Sequence, residues 1–387
     1  EALLGRAIAR ERQAEILRAL EFGVADADDG LDVAIPPFRR NDVSREADLV
    51  EEVARIDGLD KLPATLPKRR GAAGRLSREQ RLRRRALDAL AGRGMFEIVG
   101  WSFTPADLPA RLRIPDEDPR ARTVALANPM SEEQAVLRTT LLGSLLDAAR
   151  HNHARGQADL RLFECGTVFH ERPGERLPHE HRALGGLLTG RLQPPSWGTP
   201  QPPLADVFAA KAFLGAALEA LRAPWSVDAA PQPFLHPGRS ARVLVGAEDV
   251  GWVGELHPLV AREWDLDGAS AFEVDLDRVL AHAVDTPQYV DLTSFPALRQ
   301  DLAVALADDV PAAEVLRVVR EAAGPLLADV RVFDLYHGEQ VGEGRKSIAL
   351  ALTFRAGDRT LTDEDVAPAR AAIVAALAAQ LGGELRA

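Results

Sequence analysis

Four carboxylates between positions 42 and 52 are the side chains whose types and spacing point most directly to chemistry. The pattern predicts a helix beginning at Ser44, whose hydroxyl suits the N-cap because it accepts an orphan backbone N–H. Within that helix Asp48, Glu51 and Glu52 stand at i, i+3 and i+4, so their carboxylates share one face. Asp42 lies just ahead of the cap, where a loop residue can fold over the same face. An all-oxygen donor set suits a hard divalent cation, and magnesium would fill its remaining positions with water. The bland alternative is a solvated helix. Acids in the first turns interact well with the helix dipole, and Glu51 precedes Arg55 by one turn in the favourable order. Residue types alone leave both readings open.

The remaining reactive side chains point to less. His170, His179 and His181 lie close in sequence, and alternation puts His179 and His181 on one side of a strand. A zinc site normally asks for more ligands, and Cys165 is the single cysteine, so these histidines read as solvated or core residues. His151 and His153 read the same way. Residues 1 to 67 hold no nucleophile–base pair and no glycine-rich phosphate loop.

At 387 residues the chain has room for two to four domains of about 100–200 residues each. One cysteine rules out an internal disulfide and fits a reducing cytoplasm. No apolar run approaches the roughly 20 residues that a membrane helix needs, so no membrane contact is expected. A net charge of −11 argues against broad nonspecific binding to nucleic acid. Basic residues nevertheless cluster: Lys68, Arg69, Arg70, Arg75, Arg78, Arg81, Arg83, Arg84 and Arg85 are broken by one acid, Glu79. That run reads equally as a phosphate-contacting segment or as a solvated linker and helix face. The first residue is a glutamate that falls within a helical pattern, so a fragment of a longer chain is expected.

The elements that must position these residues fall into three parts of an α+β multidomain chain. Residues 1–67 form a small α/β domain: an amphipathic helix over 1 to 22, a polar turn, the strand LDVAIP and the acidic helix. Residues 68–288 open with a helix over Ser77 to Gly92 and continue with the strand MFEIVGWSF. A helix carrying Leu141, Leu142, Leu145, Leu146 and Ala149 follows, then the strands LRLFECGTVFHER and RALGGLLTG and a helix from Lys211 to Leu221. A hairpin turning at Gly246–Asp249 comes last. Residues 289–387 run strand, helix, strand, strand, helix, strand, the ferredoxin-like βαββαβ order. Sheets of this kind recognise single-stranded RNA by stacking bases on aromatics and meeting phosphates with cations. Phe333 and Tyr336 are the stacking candidates, and Arg299, Lys346, Arg355 and Arg386 the basic ones. Alternation leaves two choices: Asp334 and Tyr336 face out while Phe333 and Leu335 are core, or the reverse.

One family resemblance covers all three parts in order. The acidic stretch reads Pro37, Phe38, Arg39, Arg40, Asp42, Glu46, Asp48, Leu49, Glu51, Glu52, Val53, Ala54, Arg55, Ile56, Gly58, Leu62, Pro63. It resembles the corresponding segment of the bacterial phenylalanyl-tRNA synthetase beta subunits. NPMSEEQAVLRTTLLGSLL and LFECGTVF are similar to that family's version of a class II synthetase core. His236, Pro237, Gly238, Arg239 and Ala241, with Gly251, Gly254, Glu255, Leu256, His257 and Pro258, match a further signature. SFPALRQDLAV, FDLYHG, GRKSIALALTF and RTLTDEDV resemble the C-terminal anticodon-binding domain.

The resemblance implies a beta subunit that assembles with a catalytic alpha subunit as α2β2 and binds tRNA(Phe). The holoenzyme would join L-phenylalanine to that tRNA using ATP and magnesium. It implies that Asp42, Asp48, Glu51 and Glu52 hold magnesium near the alpha contact. It also implies a class II fold without an adenylation site, hence no catalytic residue in this chain. The arginine that would grip an ATP α-phosphate is replaced by His170, and the glycine-rich third motif has no counterpart. The family's N-terminal tRNA-binding and editing regions are not in this sequence. A freestanding RNA-binding scaffold made of the same domains is the alternative, and the apolar stripe between Leu137 and Ala149 argues against it as an alpha-facing surface. An independent class II enzyme is a third reading, weakened by His170.

Overall fold

A computed structural model describes residues 1–64, 74–289 and 293–386. The chain divides into two compact units, Glu1–Arg81 and Leu82–Ala387.

In the first unit, helix α1 (Arg10–Ala19) precedes the hairpin of β1 (Gly23–Asp26) and β2 (Leu31–Ala34), and helix α2 (Glu46–Asp57) closes it. Ile16, Leu17, Phe22, Val43 and Val53 form the core. The expected helix over 1 to 22 is shorter than the apolar spacing suggested. Gly5 sits at φ +68 in a turn closed by its N–H on the Glu1 carbonyl, and Ala9 enters α1 with extended backbone. Strand β1 has no counterpart in the sequence expectation, which places a polar turn at Asp26 to Gly30 and assigns nothing to residues 23 to 25.

The second unit begins within helix α3 (Arg78–Gly92), whose Leu82, Ala86 and Leu90 are buried. Ser77 and Gln80 exchange hydrogen bonds ahead of it: the Gln80 N–H donates to Ser77 Oγ and the Ser77 N–H to Gln80 Oε1. The expected strand MFEIVGWSF reduces to β3 (Phe96–Glu97) and β4 (Phe103–Thr104), because Gly100 between them is pressed against Ser144 and Glu164. Next come α4 (Leu108–Arg111), β5 (Val136–Leu137), α5 (Leu142–His153), the long hairpin β6 (Leu160–His170) and β7 (His179–Thr189), and α6 (Val207–Ala220). Strands β8 (Trp225–Ala229), β9 (Leu235–Val245) and β10 (Glu248–Leu256), helix α7 (Pro258–Glu263), strand β11 (Ser270–Asp275) and helix α8 (Leu276–His282) complete this part. The sheet order is β3-β6-β7-β11-β10-β9-β8, antiparallel except for β3 beside β6. Apolar layers cover both of its faces. Leu82, Leu90, Leu214, Leu218 and Leu276 pack on one with Phe163 and Phe272; Leu141, Leu145, Phe234 and Trp264 pack on the other with Leu187 and Trp252.

The last part carries β12 (Leu298–Ala307), α9 (Ala312–Ala323), β13 (Leu327–Tyr336), β14 (Arg345–Phe354), α10 (Asp363–Leu381) and β15 (Glu384–Arg386). Its antiparallel sheet runs β13-β14-β12-β15, the ferredoxin-like arrangement. Val315, Val319, Val366, Ile373 and Leu377 of the helices pack on Leu302, Val304, Leu306, Ile348, Leu350 and Leu352. The opposite face is free of helices. It carries small residues along the two central strands: Ala303 and Ala305 on β12, and Ser347, Ala349 and Ala351 on β14.

Candidate functional site

The acidic helix does not gather its carboxylates. Helix α2 starts at Glu46, not at Ser44, because Asp48 turns back over its own first turn. The Ser44 and Arg45 N–H groups donate to Asp48 Oδ2 at 2.9 and 2.8 Å, and the Arg45 guanidinium reaches Oδ1 at 3.0 Å. These bonds, the Ser44 N–H first, hold the Asp48 carboxyl down at about 2. Glu52 is nearly buried between two guanidiniums, with Arg39 Nη2 at 2.7 Å on one oxygen and Arg55 Nη2 on the other. The Arg39 bond is the main reason its carboxyl titrates below the usual range. Arg39 Nε also donates to Asp42 at 2.8 Å, while Glu51 is exposed. The donors are of the chemical kind that magnesium takes, yet arginines already neutralise three of the four. Among the described residues no group of three or more acids, histidines or cysteines is placed to hold a metal ion. The carboxylates as arranged therefore do not fit a magnesium cage.

The helix-free face of the four-stranded sheet offers a clearer site. Tyr336 pairs with Ser347, and Asp334 with Ala349, so both stand on that face, as in the first of the two alternation choices. The choice is only half met on the other side: a bulge between Val332 and Asp334 leaves Phe333 out of register, and both Phe333 and Leu335 are exposed rather than core. Arg386, opposite Ala303 on edge strand β15, reaches across the small residues and places its guanidinium carbon 5.4 Å from the Tyr336 ring centre. Its Nη2 also donates to Gln340 at 2.9 Å. A Cβ at Gly338 would fall 2.4 Å from Tyr336 Oη, so the glycine lets the phenol lie where it does. Arg299, opposite Thr353, shares the face at the far end. Lys346 does not: it pairs with core residue Leu306, and its ammonium is taken by the Asp308 carbonyl. Arg355 lies past the end of β14. Arg331 and Ser347 also stand on this face, a placement that follows from the register.

This arrangement is an aromatic ring and a guanidinium over a floor of methyls and one hydroxyl, with a carboxylate beside it. A planar base can stack there, and the exposed Asp334 carboxylate can read its edge.

Comparison with known proteins places each part. Residues 1–59 match the tRNA synthetase B5 domain, residues 62–276 the phenylalanyl tRNA synthetase beta chain CLM domain, and residues 293–386 the ferredoxin-fold anticodon binding domain. The phenylalanine–tRNA ligase beta subunit of Symbiobacterium thermophilum is 42% identical over 366 residues, which is 93% of this chain and 40% of that protein. Those of Geobacter sulfurreducens and Geobacillus kaustophilus are 38% and 36% identical over 100% and 99% of this chain, covering 48% and 47% of their own lengths. The chain belongs to the phenylalanine–tRNA ligase beta-subunit family. It spans less than half the length of these relatives.

In this chain the class II-like core is packed by its own apolar side chains. His170 stacks on His181 with ring centres 5.2 Å apart and 5° between planes. His179 lies 5.6 Å from His181. Burial, reinforced by those two rings, pushes His170 down to about 4. Arg138 is buried against Glu164, Nη1 to Oε1 at 2.7 Å, and its Nε donates to the Thr167 carbonyl. Thr140 Oγ1 and the Leu141 N–H donate to buried Glu273 at 2.7 and 2.8 Å, and burial raises that carboxyl above the ordinary range. Together these bonds anchor the start of α5. Of the apolar stripe between Leu137 and Ala149, Leu141, Leu142, Leu145, Leu146 and Ala149 lie inside this core, so it does not separate the synthetase reading from a freestanding scaffold. Among the apolar residues that are exposed are Phe96, Val99, Trp101 and Met130. Of the basic run, Lys68, Arg69 and Arg70 lie outside the described residues, Arg75 and Arg84 are exposed, and Arg85 pairs with Asp285 at 3.2 Å.

Proposed function

We propose that this chain serves phenylalanine–tRNA ligase as the part of the beta subunit that binds tRNA(Phe) and assembles with the catalytic alpha subunit. The observation that carries the reading is the helix-free sheet face, where Tyr336 and Arg386 meet over Ala303, Ala305 and Ser347. An unstacked anticodon base would insert against the Tyr336 ring, with Asp334 at its edge and Arg386 supplying positive charge. Arg299 would meet phosphate farther along. The alpha subunit would dock on the exposed surface of Phe96, Val99 and Trp101, since exposed apolar residues clustered along one short stretch mark an interaction site.

ATP and L-phenylalanine would bind the alpha subunit, because this chain's core is closed by leucines and by the Arg138–Glu164 and Thr140–Glu273 contacts. The domains would divide as 1–67, 68–288 and 289–387. Magnesium enters the reading only at Asp42, Asp48, Glu51 and Glu52, and holding it there would require Arg39 and Arg55 to release Glu52.

The test is co-expression with the alpha subunit, size analysis and phenylalanine charging of tRNA(Phe). An active α2β2 complex is the expected result. No complex, with tRNA binding retained, would favour the freestanding RNA-binding scaffold.

A further inference from the structure

We propose that loop 191–204 is a preformed docking finger whose tip indole, Trp197, seats in an uncharged apolar pocket of the alpha subunit. The inference rests on the reading that an alpha subunit is the partner. The loop's root is fastened on both sides. The Ala205 N–H donates to the Gly190 carbonyl at 2.9 Å, the Leu192 N–H to the Pro203 carbonyl at 3.0 Å, and Arg191 bridges Leu204. Its tip is closed by a reciprocal pair of backbone bonds between Ser196 and Thr199, at 3.0 and 3.2 Å, with Ser196 Oγ accepting from the same Thr199 N–H. Pro194, Pro195, Pro200, Pro202 and Pro203 fix φ along the two arms. A loop held this way has little conformational freedom left to lose when it binds.

That frame presents Trp197 at 99% exposure, with Leu204 and Phe208 of the first turn of α6 also exposed. A fully exposed indole on a rigid tip is the kind of residue that anchors protein interfaces. Charge selects the class of partner. From Leu192 to Ala205 the loop has no ionisable side chain. Surfaces that stack nucleic-acid bases pair their aromatics with cations to meet phosphate, whereas the cation of this loop, Arg191, stands at its root and not beside the tip indole. Position selects which protein. Arg161 donates to the Gly94 carbonyl at 3.1 Å and to the Leu192 carbonyl, so the finger's root lies beside the chain that enters Phe96, on the surface proposed for alpha.

The experiment labels the chain with 5-fluorotryptophan, assigns the Trp197 resonance with a Trp197→Phe variant, and adds purified alpha subunit or tRNA(Phe). Alpha should shift the Trp197 resonance and remove its solvent isotope effect, and tRNA should do neither. Trp197→Ala should weaken association with alpha at least about tenfold, with Trp197→Phe retaining more than the alanine variant. An unsubstituted chain that binds alpha with the Trp197 resonance unmoved, and an alanine variant of equal affinity, would overturn the finger and leave the partner reading intact. Failure of the unsubstituted chain to bind alpha at all would overturn both. Movement with tRNA alone would replace the pocket with base stacking.

Discussion

The guanidinium of Arg386 lies 5.4 Å from the centre of the Tyr336 ring, although the two residues stand on opposite edge strands of a four-stranded sheet. They meet because the positions between them, Ala303, Ala305, Ser347 and Ala349, are too small to keep them apart. Tyr336→Ala should cost about 1–3 kcal/mol of tRNA affinity, the usual worth of one stacked base, and leave the salt dependence unchanged. Arg386→Ala should instead lower the slope of log affinity against log salt by about 0.7 to 1. Titrations at several salt concentrations separate the two; equal slopes in both variants would remove Arg386 from phosphate contact.

Asp48 makes the small N-terminal unit sensitive to acid. Its folded value, about 2, lies below the ordinary aspartate value, so the folded state releases this proton more readily than the unfolded chain. The stability it contributes is complete above the unfolded value near 4 and is lost as pH falls towards 2. Helix α2 should fray over that window, and Asp48→Asn should flatten the acid limb of a circular-dichroism titration while lowering stability at neutral pH.

The histidine stack acts over a different window. His170 has a folded value near 4, well below the 6.5 of a free imidazole, so the unfolded chain takes up this proton first. Stability from this group is complete above pH 6.5 and declines as pH falls from there to 4. The groups that face the stack are Asp118 and Arg120 at His170, and Asp275, Asp277 and Arg278 at His181. Proton NMR of the ring C–H signals should place the His170 midpoint near 4, and His181→Gln should raise it by removing a neighbouring ring. An unshifted midpoint in that variant would remove His181 from the groups that set the value.

Arg138 and Glu164 form a buried pair, so removing one partner strands the other. Arg138→Met should cost about 3–5 kcal/mol in denaturant unfolding, while Arg138→Met with Glu164→Gln should recover part of that loss. No recovery in the double variant would place the cost in lost packing around the arginine stem rather than in the uncompensated carboxylate.

Much of the architecture was legible in the sequence because the patterns were local. The βαββαβ order of the last part followed from alternating strands separated by helix-period segments, and the long hairpin of β6 and β7 from two apolar runs about a turn. What sequence could not show was register and arginine placement. Tyr336 and Arg386 were both named from residue type, but their meeting depends on a bulge that displaces Phe333 and on small residues in two other strands. The carboxylates of α2 do stand on neighbouring turns, yet Arg39 reaches Glu52 from the preceding loop. Helical spacing has no access to that approach. The apolar stripe between Leu137 and Ala149 left two places open, a partner-facing surface or ordinary core, and α5 takes the second, since periodicity does not say which neighbour a helix packs against.

Gly166 sits where the guanidinium of Arg138 passes, and a Cβ there would come within 2.1 Å of Arg138 Nη2. The demand for glycine at this position is thus set from inside the fold by a neighbour's side chain, whatever the chain binds. A comparison of sequences that found this glycine invariant would be recording an obligation to the arginine. The informative signal would be paired change, with Gly166 free to vary only in chains that have also given up Arg138.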